Sequence, residues 1–238
     1  MTGPSDTALA DQHSLGDAPI PRIVLEIASG RPAELVWRND LGGMTFRIGD
    51  TFVKWNPPQT GIDLERERCR LEWIAGRHPA PRVIGSGADA AGQWLVTAAV
   101  PGESAVGDPW RVRRSEAIRA IAAGLLALHA IEVDDFPAEW TSEVWVGRTP
   151  EELGPRPPLD GPVLVHGDAC APNTLISPAG RWTGNVDFGD RWADLAIASM
   201  SLDWNFGEGH QHELFDAYGV QPDDERIGYY RRLWHLES

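Results

Sequence analysis

Apolar and polar positions alternate from Glu34 to Trp55. In "ELVWRN" and "MTFRIGDTFVKW" β-branched and aromatic residues recur at every second position, and Gly49-Asp50 interrupts the second stretch. Antiparallel strands are expected there, with Lys54 ending the second strand of the hairpin. The period then lengthens. Over "GIDLERERCRLEWIAGRHPAPRV" a helix-length segment is closed by Gly76, Pro79 and Pro81. At about 100° per residue, Leu64, Leu71, Ile74 and Ala75 share one face, and Glu67 falls inside the same arc while Glu65 and Glu72 fall outside it. A carboxylate on a buried stripe needs a partner, because an unpaired buried charge is costly. Lys54, on the neighbouring strand, is the candidate.

"QWLVTAAVPGES" reads as another strand broken at Pro101-Gly102, a candidate lobe boundary. Helical periodicity follows: "SEAIRAIAAGLLALHAI" places Ile118, Ile121, Leu125 and Leu128 on a core face, with Ser115 as candidate N-cap and His129 at a helix end favoured by the dipole. From Glu132 to Pro162 the chain is rich in Pro, Gly and acids and reads as loop with one short helix. "VLVHGDACAPNTLI" then sets three polar groups between two apolar strand-like runs. "TLIS" and "WTGNV", separated by Pro178-Ala179-Gly180, form an expected hairpin that returns Asp187 close to Asn173. "WADLAIASMSLDW", "HELFDAY" and "DERIGYYRRLWH" are expected helices. The organisation expected is a mobile segment 1–20 without periodicity, a sheet-bearing lobe 21–100 and a mainly helical lobe 101–238.

The chain has 238 residues, of which 42% are hydrophobic, enough for one sizeable core or two small ones. It has neither an apolar run of about 18 residues nor a basic, apolar leader, so a cytoplasmic protein without a membrane partner is expected. Two cysteines, Cys69 and Cys170, form no CxxC pair, which argues against a disulfide framework or structural zinc. The eleven tryptophans are expected mostly in the core. The formal charge of −14 disfavours a nucleic-acid partner and favours a polycationic ligand, although an acidic surface also serves solubility alone. Lys54 is the single lysine among 21 basic residues. Its retention in an arginine-rich chain marks a site that needs a compact point charge.

The chemistry gathers between His166 and Asp187. Two oxygen ligands at strand ends, Asn173 and Asp187, suit magnesium, which takes a few protein oxygens plus phosphate and water. Asp168 lies at the apex of the same loop. The spacing His-x-Asp-x-x-x-x-Asn followed by Asp-Phe-Gly is that of the kinase catalytic and metal-binding loops. Bland readings stand beside these. Asp187-Phe188-Gly189 alone could be a strand-end turn, Lys54 a solvated lysine, and His166 a hydrogen-bonded structural histidine. Cys170 next to His166 lacks the oriented third group of a thiol nucleophile.

"GGMTFRIGDTFVKW", "DLERERCRLEWIAG", "WLVTAAVPGES", "LVHGDACAPNTLI", "NVDFGDRWADLA" and "IGYYRRLW" occur in the order found in aminoglycoside 3'-phosphotransferases, and from about Val36 to Trp234 the chain resembles that family. The resemblance implies an α+β, two-lobed protein-kinase-like fold, with a small antiparallel-sheet lobe and a mainly helical one. It further implies transfer of the γ-phosphoryl of ATP or GTP, with Mg2+, to a hydroxyl of a polycationic aminoglycoside. Lys54 would then contact the α- and β-phosphates and Glu67 would hold it. Asp168 would orient or deprotonate the acceptor hydroxyl, Asn173 and Asp187 would bind Mg2+, His166 would brace the loop, and Asp194 would anchor the loop backbone from the helix below. Gly42 and Gly43 would form the phosphate loop, and the segment from Val96 through Ala98 to Val100 the hinge that reads the nucleobase.

The chain also departs from the family pattern. The stretch between Ala130 and the catalytic loop is short, as is the one after Asp187-Phe188-Gly189, and Trp234-His235 stand where acidic residues usually end the chain. Three other readings remain open: a kinase of another small hydroxylated metabolite, a non-catalytic nucleotide-binding module, and a metal-dependent hydrolase using His166, Asp168, Asp187 and Asp190. The last leaves the pairing of Lys54 with Glu67 unexplained.

Overall fold

A computed structural model describes residues 18–132, 151–160, 163–176, 182–183 and 187–237. Most of the expected segment 1–20 and of the stretch 132–162 therefore lies outside the described residues. The chain divides into two compact units. One runs to Gly76 and resumes over Ala80–Val100; the other holds Arg77–Pro79 and everything from Pro101 on.

The first unit is built on a five-stranded antiparallel sheet in the order β1-β2-β3-β5-β4. Its strands are β1 (Glu34–Arg38), β2 (Met44–Ile48), β3 (Thr51–Asn56), β4 (Val83–Asp89) and β5 (Gly92–Ala98). Alternation sorts their side chains onto two faces. Met44, Phe46, Ile48, Val53 and Val96 form one apolar face, covered by Val24 and Ala28 of α1 (Arg22–Ala28). On the other, Leu95 packs against Leu64 and Leu71 of α2 (Leu64–Ile74). The helix α2 begins where Asp63 caps it by accepting the N–H groups of Glu65 and Arg66.

Three differences from the sequence reading appear here. The helix α1 was not expected, although Val24, Ile27 and Ala28 already carry the i, i+3, i+4 spacing. The glycine-rich edge strand β4 shows no apolar alternation and was also missed. Lys54 does not end its strand: β3 continues to Asn56.

The second unit is mainly helical. It contains α3 (Asp108–Val112), α4 (Arg114–His129), α5 (Arg191–Phe206), α6 (Gln211–Tyr218) and α7 (Asp224–Glu237). Its strands are β6 (Glu103–Ser104), β7 (Val163–Val165), β8 (Leu175–Ile176), β9 (Trp182–Thr183) and β10 (Asp187–Gly189). The expected apolar stripe of α4 is buried, with Ile118, Ile121, Leu125 and Leu128 at most 1% exposed. Ser115 does not cap α4, because the chain enters directly from α3 and the helix begins one residue before the serine. Its hydroxyl instead holds the Glu213 carboxyl below the usual carboxylate range.

The helix α5 is buried on all sides from Trp192 to Leu202, which makes it the central helix of this unit. Of the tryptophans whose side chains are described, only Trp110 and Trp192 are buried; Trp37 is exposed and the rest lie at partly covered positions. The expectation of a tryptophan-rich core fails because the large apolar volume comes from Leu, Ile and Tyr instead. No helix among the described residues is long and apolar enough to cross a membrane.

Candidate active site

In the first unit, Lys54 pairs in register with Leu95 of β5 and so shares its face, the one covered by α2. Glu67, one turn along α2 from the Leu64 end, reaches it: Lys54 Nζ lies 2.6 Å from Glu67 Oε1. Both side chains keep part of their surface in solvent, 40% and 23%. The pair is therefore oriented rather than sealed, and an ammonium held by one carboxylate can still donate to an anionic ligand.

Between β1 and β2 the chain turns through Gly42 and Gly43. The N–H of Gly43 donates to Asn39 Oδ1 at 2.6 Å, and that of Gly42 to the Asn39 carbonyl at 3.1 Å. A Cβ at Gly43 would stand 2.3 Å from Asn56 Oδ1, so a side chain there would displace the Asn56 and Asn39 amides. In this structure both glycine amides are thus satisfied within the turn. Val96 lies inside the sheet, in register with Val53 on one side and Gly85 on the other. Ala98 donates its N–H to Arg82 and Ala99 to Asp50. Val100 lies two residues past the end of β5, outside its ladder.

In the second unit the catalytic-loop residues follow β7. Asp194, 1% exposed on the first turns of α5, accepts the N–H groups of His166 (2.5 Å) and Gly167 (3.1 Å). Gly167 makes the turn at φ +81°, a conformation that a side chain would resist. Asp194 also meets His129 Nε2 at 3.1 Å, and His129 Nδ1 lies 2.6 Å from the Tyr218 hydroxyl. His129 lies in the last turn of α4, as expected, and is also a buried member of this network.

His166 is buried, and burial pushes its imidazole below the ordinary histidine pKa. Its Nδ1 accepts the Asp168 N–H at 3.3 Å, so the neutral ring braces the loop. Asp168 itself is exposed, and its Oδ2 receives a 2.7 Å hydrogen bond from Asn173 Nδ2. Because the amide nitrogen faces the carboxylate, Asn173 Oδ1 is turned away and left available to a cation. An oxygen of that kind, one carboxylate and phosphate oxygens are the hard donors Mg2+ takes.

The hairpin of β8 and β9 exists, but Asp187 belongs to β10, which pairs with β7 and sets Asp187 opposite Val165, one residue before His166. Its side chain lies outside the described residues. Asp190 caps α5 by accepting the Trp192 N–H and also takes the Asp160 N–H. Among the described residues no three of His, Cys, Asp or Glu converge on a metal position. Burial pushes the Cys170 thiol up, away from the thiolate a nucleophile requires.

The sequence reading missed two groups that hold this loop. Ser201 Oγ, fully buried on α5, accepts the Ala171 N–H at 2.9 Å. Ser104 Oγ donates to the Pro172 carbonyl at 2.9 Å.

The model of the phosphotransferase enzyme family matches residues 23–154 and 148–232. An aminoglycoside 3'-phosphotransferase of Streptomyces fradiae is 32% identical over 218 residues, 74% of this chain and 81% of that one. The crystal structure of an aminoglycoside 3'-phosphotransferase of type VIII has a TM-score of 0.71 at 27% identity, covering 87% of this chain and 94% of that one. An aminoglycoside phosphotransferase of Streptomyces rimosus, solved with ADP and streptomycin, has a TM-score of 0.67 at 23% identity, covering 91% and 97%.

Proposed function

Because the chain belongs to the phosphotransferase enzyme family, we propose that it transfers the γ-phosphoryl group of ATP, accompanied by Mg2+, to the 3'-hydroxyl of an aminoglycoside. It has the α+β, protein-kinase-like fold of its structural neighbours and is a phosphotransferase with an alcohol group as acceptor. The observation that carries the specific reading is the loop from His166 to Asn173. Its backbone is fixed to α5, its exposed carboxylate is Asp168, and Asn173 presents an oxygen beside it.

When bound, Mg2+ and the nucleotide supply the transferable group and neutralise part of its charge. Lys54, steadied by Glu67, contributes a point charge to the phosphates. Asn173 Oδ1 and Asp187 are the protein oxygens that would hold the cation. Asp168 accepts a hydrogen bond from the acceptor hydroxyl and takes its proton as the new O–P bond forms and the bond from the γ-phosphorus to the bridging oxygen breaks, releasing ADP. A positioned base of this kind contributes roughly 10²–10⁴-fold. The acidic surface, with a formal charge of −14, favours capture of a polyammonium sugar. A non-catalytic nucleotide-binding module would give no reason for the Asp168 carboxylate to be held exposed on so constrained a loop.

Kanamycin carries a 3'-hydroxyl and tobramycin lacks it, while nearly all their ammonium groups are shared. ATP consumption at low salt should therefore proceed with kanamycin and be slight with tobramycin. Equal rates would exclude the 3' position. Silence on every aminoglycoside alongside ATP binding would move the acceptor to another hydroxylated metabolite.

A further inference from the structure

The catalytic loop rests on α5 at two points. Asp194 and Ser201 are seven residues apart, two turns or about 10 Å along one helix face. Asp194 takes the N–H groups of His166 and Gly167, and Ser201 takes that of Ala171. Ala171 starts the short 3-10 turn Ala171–Asn173, which is closed by hydrogen bonds from Asn173 N–H to Cys170 O and from Thr174 N–H to Ala171 O. The second anchor therefore holds the turn that carries Asn173, while the first holds the residues before Asp168.

Ser201 is held from further sides, and its hydroxyl also hydrogen-bonds the Cys170 side chain within the loop. One turn further along, Asn205 Nδ2 donates to Ser201 Oγ at 3.1 Å and to its carbonyl at 2.8 Å. The serine oxygen thus receives two donors, one from its own helix and one from the loop. Ser199 on the same helix gives the contrast. It is equally buried, but its hydroxyl donates to the Ala196 carbonyl and accepts from Arg231 Nη2, and it does not touch the loop. Ala171 is itself 1% exposed, so no bulk water can replace Ser201 at its N–H.

We propose that Ser201, locked in place by Asn205, is a positioning residue that sets Asn173 relative to Asp168 and so aims Asn173 Oδ1 at the cation accompanying the nucleotide. This rests on the functional reading above. Without the Ser201 oxygen, the Ala171 N–H has no partner, the turn shifts to find one, and the 2.7 Å contact between Asn173 and Asp168 loosens. Lysine-based binding of the phosphates is in the other unit and is untouched.

The test is calorimetric titration of the full-length protein with ADP, once in EDTA and once in excess Mg2+. The ratio of the two dissociation constants measures the cation's share of binding. Loss of a residue supporting a metal ligand lowers metal affinity by about 10–100-fold. Ser201→Ala should reduce the ratio about tenfold, with the constant in EDTA within about twofold of wild type; Asn205→Ala should move it in the same direction by less. Ser199→Ala, the control, should lower the unfolding midpoint and leave the ratio alone. An unchanged ratio in folded Ser201→Ala, or an equal fall in Ser199→Ala, overturns the assignment. A wild-type protein whose ADP binding does not respond to Mg2+ at all overturns the functional reading and this inference with it.

Discussion

The side-chain amide of Asn173 donates a 2.7 Å hydrogen bond to the carboxylate of Asp168. The residue expected to face the acceptor is thus joined directly to the one expected to face the cation, and substitutions at Asp168 divide into two classes. Asp168→Asn keeps an oxygen for Asn173 to donate to, so ADP binding in Mg2+ should persist while turnover falls by roughly 10²–10⁴-fold. Asp168→Ala removes the acceptor of that bond and should weaken Mg2+-dependent ADP binding as well. Full turnover in Asp168→Asn, measured by ATP consumption, would place the base elsewhere.

Lys54 and Glu67 form the corresponding pair on the donor side, at 2.6 Å. Lys54→Met should raise the dissociation constant for ADP and lower turnover, since Lys54 is the single lysine of the chain and an arginine does not reproduce its compact charge. Glu67→Gln should act in the same direction but less, because the amide oxygen can still accept from the ammonium. The two effects should fall short of adding, as expected of residues that act through one contact. Unaltered ADP binding in a folded Lys54→Met protein would remove the donor-site assignment.

Two buried histidines make stability depend on pH. Burial, with a smaller contribution from the neighbouring His166, lowers the pKa of His78 to about 4, and burial lowers that of His166. The unfolded chain therefore binds more protons than the folded one once pH falls below about 6.5. Folding stability is complete above that value and declines below it, by about 1.4 kcal/mol per pH unit for each histidine still neutral in the fold. For His78 the decline ends near pH 4. Urea midpoints between pH 7.5 and 5 should fall accordingly, and His78→Gln should make the slope shallower. A flat profile would mean that neither ring is kept neutral by the fold.

Much of this site could be read in the chain because phosphoryl transfer constrains residue types at fixed spacing. His166, Asp168 and Asn173 sit on one loop, and Lys54 and Glu67 were matched by helix periodicity alone. The tertiary route was harder. The expected β8-β9 hairpin precedes Asp187, but its place on β10 opposite Val165 was not foreseen, because strand pairing between β7 and β10 joins segments whose alternation is too short to register. Ser201 was hidden for a different reason. In "ADLAIASMSLDW" nothing distinguishes it from Ser199, and only the packed structure shows that one serine serves its own helix and the other serves the loop.

His129 shows how a buried polar chain can be dissected further. Its Nε2 lies 3.1 Å from Asp194 and its Nδ1 2.6 Å from the Tyr218 hydroxyl, with the histidine and aspartate side chains 4% and 1% exposed. Burial pushes the tyrosine pKa up, so its O–H stays a donor. A neutral ring satisfies both contacts in one tautomer: Nε2–H donates to Asp194, and Nδ1 accepts from Tyr218. Tyr218→Phe leaves Nδ1 as a buried acceptor without a partner, which costs about 1–3 kcal/mol. His129→Phe takes away the acceptor of the tyrosine O–H, leaving that hydroxyl with Arg191 alone, and removes one of three donors from Asp194, a cost of similar size. In the double variant neither the ring nitrogen nor the hydroxyl proton remains to be left without its partner. The two losses should therefore fall short of adding by about 1 kcal/mol, read from urea unfolding of the four proteins. Turnover should drop more in His129→Phe than in Tyr218→Phe, because only the first touches the carboxylate that holds His166 and Gly167. Strict additivity, or equal turnover in the two single variants, would show that the tyrosine and the histidine are packed together without acting as one network.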